Sequence, residues 1–178
     1  PVPGPRPEAT RPQRTRRQGL ALFPAVLTAP LLLGRRGLGR FRVLYLAVAG
    51  VALVAVLAEV VRGRSPLALL GAYEAIGRHD YSVGGVAKWL VWHVAELDLY
   101  LGVVPAIAFI LLALSWRTLD VRARAFVAGA SALSAWLLLE VAAFASLPGV
   151  TRIEERNLFY LAPFFLTALL LWIERGAP

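Results

Sequence analysis

Of the 178 residues in the chain, 58% are hydrophobic and 17% are charged, and the mean hydropathy is +0.66. This composition excludes an ordinary soluble domain, which is only about 45–50% apolar, and predicts that a bilayer is the solvent. The net charge of +8 comes from 19 basic residues, all but Lys88 being arginine, and such residues between apolar runs indicate cytoplasmic loops rather than nucleic-acid binding. Cysteine is absent, which excludes disulfides, thiolate metal sites and cysteine nucleophiles.

The first 17 residues, PVPGPRPEATRPQRTRR, are rich in proline and arginine and show no apolar period. Such a segment cannot bury enough surface to offset the entropy of ordering, so residues 1–17 are predicted to form a disordered basic tail or linker near lipid headgroups. The sequence begins without Met and without a signal-peptide pattern. We therefore expect a fragment of a longer protein whose N-terminal portion would be a partner of this one.

Residues 18–178 are predicted to form one transmembrane domain, because five apolar runs follow the tail. A bilayer core of about 30 Å needs about 20 helical residues. The expected fold is all-α, a polytopic transmembrane helix bundle with four spans, near residues 43–61, 89–115, 125–146 and 158–173. The run at 19–33 is shorter and contains Pro24 and Pro30, so it either spans or forms a kinked or re-entrant element.

Arginines gather in two links, before the second run and between the third and fourth, and these links are predicted to be cytoplasmic. The ionisable residues in or beside the runs then fall at the extracytoplasmic ends. They are Glu59, His93, Glu96, Asp98, Glu140 and Arg156. A charge at membrane depth costs about 2.5–3.5 kcal/mol. Their collection at one side therefore predicts a multi-pass cell-membrane protein with a polar cavity open to the exterior.

The segment KWLVWHVAELDLYLG, residues 88–102, contains the densest group of titratable side chains. Helical spacing places Trp89, His93, Glu96 and Tyr100 on one face. Glu96 is a candidate catalytic base and His93 a candidate substrate-binding residue. The alternatives are an aromatic belt at headgroup depth with interfacial charges, or metal ligation. Since no further histidine is near in sequence, we predict neither a metal site nor a cofactor.

Two loops carry the other candidates. In GAYEAIGRHDYSVGG, Asp80 is a candidate acid–base group and Arg78 a candidate substrate ligand, the alternative being a solvated loop. In TRIEERNLFYLAP, Arg152, Arg156 and Asn157 precede the fifth run. An arginine fork donates two hydrogen bonds to a phosphate, so these residues are candidate substrate ligands, the alternative being a local Arg–Glu network.

Two further patterns have structural interpretations. Ala128, Ala132 and Trp136 recur every four residues in the fourth run, which predicts a helix-packing face lined by small residues. Pro105 and Pro163 are predicted to kink their helices.

The segments ERNLFYLAPFFLTALLLWIERG, GAYEAIGRHDYSVGG and WHVAELDLYLGVVP resemble the C-terminal half of bacterial multispanning GT-C glycosyltransferases, over about residues 20–178. The resemblance implies transfer of a sugar from a polyprenyl-phosphate carrier at the outer face, with Arg156 and Arg152 recognising the carrier phosphate beside a cavity lined by His93 and Glu96. Glu96 or Asp80 would serve as the base. The acidic residue that the family uses in an early extracytoplasmic loop is absent here.

Two other classes of protein fit the pattern. A non-catalytic membrane scaffold would use the small-residue face and leave the outer polar groups without a ligand. A transporter subunit would need a polar route across both leaflets, and the inner halves of the runs lack embedded acids.

Overall fold

The computed structural model describes residues 21–34, 39–65, 81–147 and 158–176. Within these ranges the chain is helical and contains no strand, which confirms the predicted all-α class. The helices are α1 (Leu22–Leu32), α2 (Arg42–Val61), α3 (Val83–Leu101), α4 (Val103–Leu114), α5 (Val121–Ala145) and α6 (Ala162–Glu174). Short 3-10 turns at Trp116–Thr118 and Phe159–Leu161 precede α5 and α6.

Two of the described helices, α2 with 20 residues and α5 with 25, are long and apolar enough to cross a membrane. A third candidate exists only if α3 and α4 count together as one bent span. The described residues therefore contain two or three candidate spans, fewer than the four predicted. At about 1.5 Å per residue, α1 and α6 extend roughly 16 and 20 Å, which is short of a core of about 30 Å.

The third apolar run is divided into two helices. Ser82 begins α3, and its hydroxyl accepts a hydrogen bond from the Gly85 N–H at 3.3 Å. The helix ends at Gly102, whose φ of 84° and ψ of 146° interrupt the helical path, and α4 leaves at an angle of 112°. The predicted span at 89–115 is wrong in its bounds, and His93 lies in the middle of α3 rather than at the head of a helix.

Two prolines lie in the first turns of α4 and α6. Pro105 is the third residue of α4 and Pro163 is the second residue of α6. The first turn of a helix has N–H groups without intrahelical partners, so a proline there removes no hydrogen bond. Pro105 is thus compatible with α4 itself, but in one helix continued through Gly102 its ring would clash with the Leu101 carbonyl, so it favours a break at this point. The predicted kink at Pro105 therefore agrees with the bend at Gly102, and the kink at Pro163 stays a prediction.

The long helix α5 lies at the centre of the fold, with α1 and α3 packed against it, while α4 pairs with α6. Ala128 and Ala132 on α5 are buried, which confirms the predicted packing face of small residues. Between α4 and α6, the rings of Phe109 and Phe165 lie 4.8 Å apart in a core that includes the fully buried Leu161. Polar side chains contribute to the interface between α1 and α5.

Candidate functional site

Glu140 lies on α5, in the second turn from its C-terminal end, and its side chain contacts α1. Its Oε2 accepts a hydrogen bond from the Ala21 N–H at 3.0 Å, at the start of α1. The first N–H groups of a helix have no partner within that helix, and its N-terminus carries partial positive charge. A carboxylate at this point therefore both satisfies a buried donor and interacts favourably with the α1 dipole.

Trp136, one turn before Glu140 on α5, makes a second polar contact with α1. Its indole Nε1 donates to the Thr28 hydroxyl at 3.0 Å, and that hydroxyl donates in turn to the Pro24 carbonyl at 2.8 Å. The three groups form a continuous chain of hydrogen bonds from one helix to the other. Because Ala21 pairs with Glu140 while Thr28 pairs with the earlier Trp136, α1 and α5 run antiparallel.

A third contact joins α1 to α2. The Tyr45 hydroxyl donates to the Leu27 carbonyl at 2.8 Å. Each of these three contacts pairs a polar group that lies in an apolar environment, and polar groups are tolerated in such an environment when they are hydrogen-bonded. The short helix α1 is thus packed against α5, and the Tyr45 hydrogen bond joins it to α2.

His93 lies in the interior of the fold, with 0% of its surface exposed. Its Nδ1 is 2.7 Å from the Trp89 carbonyl oxygen, and since a carbonyl only accepts, Nδ1 must carry the proton and donate. The Trp89 and His93 rings lie 5.9 Å apart. This burial contradicts an open cavity directly at His93, because solvent does not reach the ring.

The outer face of α3 differs from the face that carries His93. Trp92 is more than half exposed, its ring lies 6.3 Å from that of Trp89, and the Lys88 ammonium lies 6.0 Å from the Trp92 ring centroid. This grouping of aromatic rings and a cation agrees with the alternative of an aromatic belt. The interior histidine and the exposed aromatic group therefore belong to two different faces.

Glu96 and Asp98 are half-buried on α3. Neither carboxylate forms a hydrogen bond or an ion pair with the described residues. Across the same ranges, no group of three or more His, Asp and Glu side chains is arranged to hold a metal ion. Glu96 is the one predicted catalytic residue that the described structure includes, and its carboxylate is available for a new partner.

The other predicted site residues lie outside the described ranges. They are Arg78, Asp80, Arg152, Arg156 and Asn157. The described chain resumes at the buried Leu158, and the ring of Phe159 meets that of Tyr100 edge-on at 6.2 Å. The fifth apolar run therefore begins beside the end of α3, one helical turn beyond Glu96.

The opposite end of α5 carries a cap and an ion pair. Asp120 Oδ1 accepts from the Ala123 N–H at 2.8 Å, and Oδ2 accepts from Arg175 Nη2 at 2.6 Å. The hydrogen bond from Ala123 holds the pKa of the Asp120 carboxyl below its ordinary value, and the Arg122 N–H and the Arg175 charge act in the same direction. This carboxylate therefore joins the start of α5 to the end of α6.

Sequence reasoning identified Glu140 as an ionisable residue in a span but assigned it to a cavity, and it missed the contacts of Trp136 and Thr28. The available signal was the spacing of Trp136 and Glu140, four residues apart and hence on one face of a helix. Comparison with protein-family models, curated proteins and solved structures finds no match to this chain. The functional assignment therefore depends on the contacts described above.

Proposed function

We propose that this chain is a membrane scaffold, a bundle of helices in which buried polar side chains fix the positions of helices. The observation that carries the proposal is the contact between the Glu140 carboxylate and the Ala21 N–H. A carboxylate that caps a neighbouring helix is engaged in holding that helix. The hydrogen bond from Trp136 to Thr28, which joins the same two helices, supports the same interpretation.

The proposed location is a cell membrane, with the chain crossing it more than once. The apolarity and length of α2 and α5 support this location. In the proposed orientation the arginines near the start of α5 face the cytoplasm, as the distribution of basic residues favours. Membrane lipid is then the immediate partner of the exposed apolar side chains of α2.

The scaffold is tested by measuring whether Glu140 positions α1. Phe23 on α1 and Leu139 on α5 are exposed, and the chain has no cysteine, so spin labels on cysteines placed at these two positions would be specific. Glu140→Ala should broaden the label-to-label distance distribution in lipid nanodiscs, because the buried Ala21 N–H loses its acceptor. Glu140→Gln retains an acceptor oxygen and should retain most of the order.

Glu174→Ala is the matched control, since it removes an exposed carboxylate at the end of α6. It should leave the distribution unchanged. If Glu140→Ala also leaves both the distance and its width unchanged, Glu140 does not hold α1 and the scaffold loses its main support.

A second candidate is a GT-C-like glycosyltransferase that acts at the extracytoplasmic face on a polyprenyl-phosphate-linked sugar. The observation that favours it is the position of Glu96, which is half-buried and has no partner in the described structure. Glu96 lies one turn before Tyr100, and the ring of Tyr100 contacts Phe159 at the start of the fifth run. Glu96 would act as the base and Arg156 would bind the carrier phosphate. Further proposed substrate ligands and acid–base groups are Arg78, Asp80, Arg152 and Asn157.

The transferase is tested by the binding of a polyprenyl phosphate to the protein in nanodiscs. Arg156→Ala should weaken this binding about tenfold or more, because a charge-assisted bidentate contact contributes roughly 1.5–3 kcal/mol. Arg64→Ala removes an exposed arginine just beyond α2 and serves as the control. Equal affinities for the two variants would refute the role of Arg156.

A further inference from the structure

Four arginines surround the start of α5, and we call this group the basic rim. It consists of Arg117, Arg122, Arg124 and Arg175. The Asp120 carboxylate is shared between the Ala123 N–H and Arg175, and the exposed Glu174 is the other acid beside it. Among the described residues, four cations against two carboxylates make this end positive. The positive N-terminus of α5 adds to the same field.

Two members of the rim are fixed by hydrogen bonds. Arg124 donates from Nε to the Leu119 carbonyl at 2.7 Å and from Nη2 to the Arg117 carbonyl at 3.1 Å. Arg175 is paired with Asp120 at 2.6 Å. These contacts hold the Arg117 turn, the first turn of α5 and the end of α6 together, so the rim is built on a rigid base.

The other two members are available for a ligand. Arg117 and Arg122 are exposed, and neither guanidinium has a hydrogen-bond or ion-pair partner among the described residues. Arg117 follows the last turn of α4, and Arg122 lies in the first turn of α5. A guanidinium offers two parallel donors to a phosphate and keeps its charge at every physiological pH.

The surroundings of the rim are those of a membrane surface. Trp116 and Trp172 are half-buried beside it and pack against the core. Tryptophan is enriched at headgroup depth in membrane proteins. Immediately next to the rim, the apolar side chains of Leu114 and Val121 are 76% and 75% exposed. A ligand at the rim would therefore meet both cationic and apolar surface.

We propose that the basic rim binds an anionic phospholipid, with the headgroup phosphate between Arg117 and Arg122 and an acyl chain against Leu114 and Val121. The arginines select the negative charge, and the adjoining apolar side chains select a lipid over a soluble phosphate. Arg124 and Arg175 contribute field and rigidity but donate their hydrogen bonds within the protein. This site is independent of the proposed scaffold and transferase functions.

The test is a titration of the full chain in neutral maltoside micelles, followed by tryptophan fluorescence. The probes are dihexanoyl-phosphatidylglycerol, dihexanoyl-phosphatidylcholine and glycerol 1-phosphate. We expect saturable binding of phosphatidylglycerol and at least tenfold weaker binding of the other two. Each arginine near an anionic lipid is worth about fivefold in affinity, so Arg122→Gln should weaken binding about fivefold and Arg117→Gln with Arg122→Gln about 25-fold.

Arg64→Gln is the matched control, because it removes one exposed arginine outside the rim and should leave the affinity unchanged. Circular dichroism at matched concentration checks that all variants keep their helix content, which is expected because the substituted side chains are exposed. Equal affinity for the two phospholipids, or equal loss in Arg64→Gln and Arg122→Gln, would overturn the proposal. Glycerol 1-phosphate binding as tightly as phosphatidylglycerol would overturn the lipid as the source of the phosphate.

Discussion

Gly102 provides the most direct test of the fold, since the bend between α3 and α4 depends on its backbone. Its φ is 84° and its ψ is 146°, a conformation that is essentially restricted to glycine. A Cβ added there would lie 3.9 Å from the Pro105 Cδ, an ordinary van der Waals distance. Steric overlap is therefore small, and Gly102→Ala should lower the free energy of unfolding by about 1–3 kcal/mol through the backbone alone.

Gly50→Ala is the control for this substitution. Gly50 lies within α2, and an added Cβ would meet no described heavy atom within 4 Å. Alanine in a helix interior is favoured over glycine by about 0.5–1 kcal/mol, so this variant should be slightly more stable than the parent. The same chemical change thus has opposite expected signs at the two sites.

The assay is equilibrium unfolding in mixed micelles, combined with spin labels on cysteines placed at the exposed Leu99 and Ile110, on either side of the bend. Loss of stability in Gly102→Ala, with or without a longer distance from partial straightening, fits the bend as described. If Gly102→Ala proves as stable as Gly50→Ala with an unchanged distance, the positive-φ bend is refuted.

Three further predictions concern buried or capping polar groups. Trp136→Phe should lower the free energy of unfolding by about 0.5–1.5 kcal/mol, because the hydrogen bond to Thr28 is lost while most of the packing is kept. In a double-mutant cycle, adding Thr28→Val to Trp136→Phe should lower the free energy of unfolding little further, because the hydrogen bond is already absent. Ser134→Ala should leave the free energy of unfolding unchanged or raise it by up to about 1 kcal/mol, since the buried Ser134 Oγ has no hydrogen-bond partner in the described structure; a loss above that size would contradict this. Because the pKa of Asp120 is lowered in the folded state, its capping contribution is fully present above the ordinary value of 3.8 and is lost as the pH falls through the lower folded-state pKa. Asp120→Asn should therefore reduce the dependence of the melting temperature on pH below 3.8. An identical pH profile for the variant and the parent would refute the assignment.

The regular helices were predictable because apolar composition and length are local properties of the chain. The predicted run at 43–61 agrees with α2, Arg42–Val61, to within one residue at its start. The run at 125–146 agrees with α5 at its end but misses the first turn, where Arg122 and Arg124 interrupt the apolar pattern while Asp120 caps the helix. A capping residue thus sets a boundary that hydropathy does not.

The division of the third run was not predictable from hydropathy, because the run stays apolar through Gly102, where the backbone angles separate α3 from α4. For the candidate site, the sequence predicted which residues share a helix face, but it did not predict which side chains contact them. Periodicity placed His93 and Glu96 on one helix, yet whether that face meets another helix or a cavity depends on packing between distant segments. The burial of His93 answers this for its own position.

The contact between Ala21 and Glu140 also constrains the order in which the chain can assemble. The two residues are 119 positions apart, so this hydrogen bond cannot form until α5 has been synthesised. Translation proceeds from the N-terminus, and α2 therefore emerges well before the residue that caps α1. During that interval α1 lacks its contacts with Trp136 and Glu140, and its final docking must be one of the late steps in the assembly of the bundle.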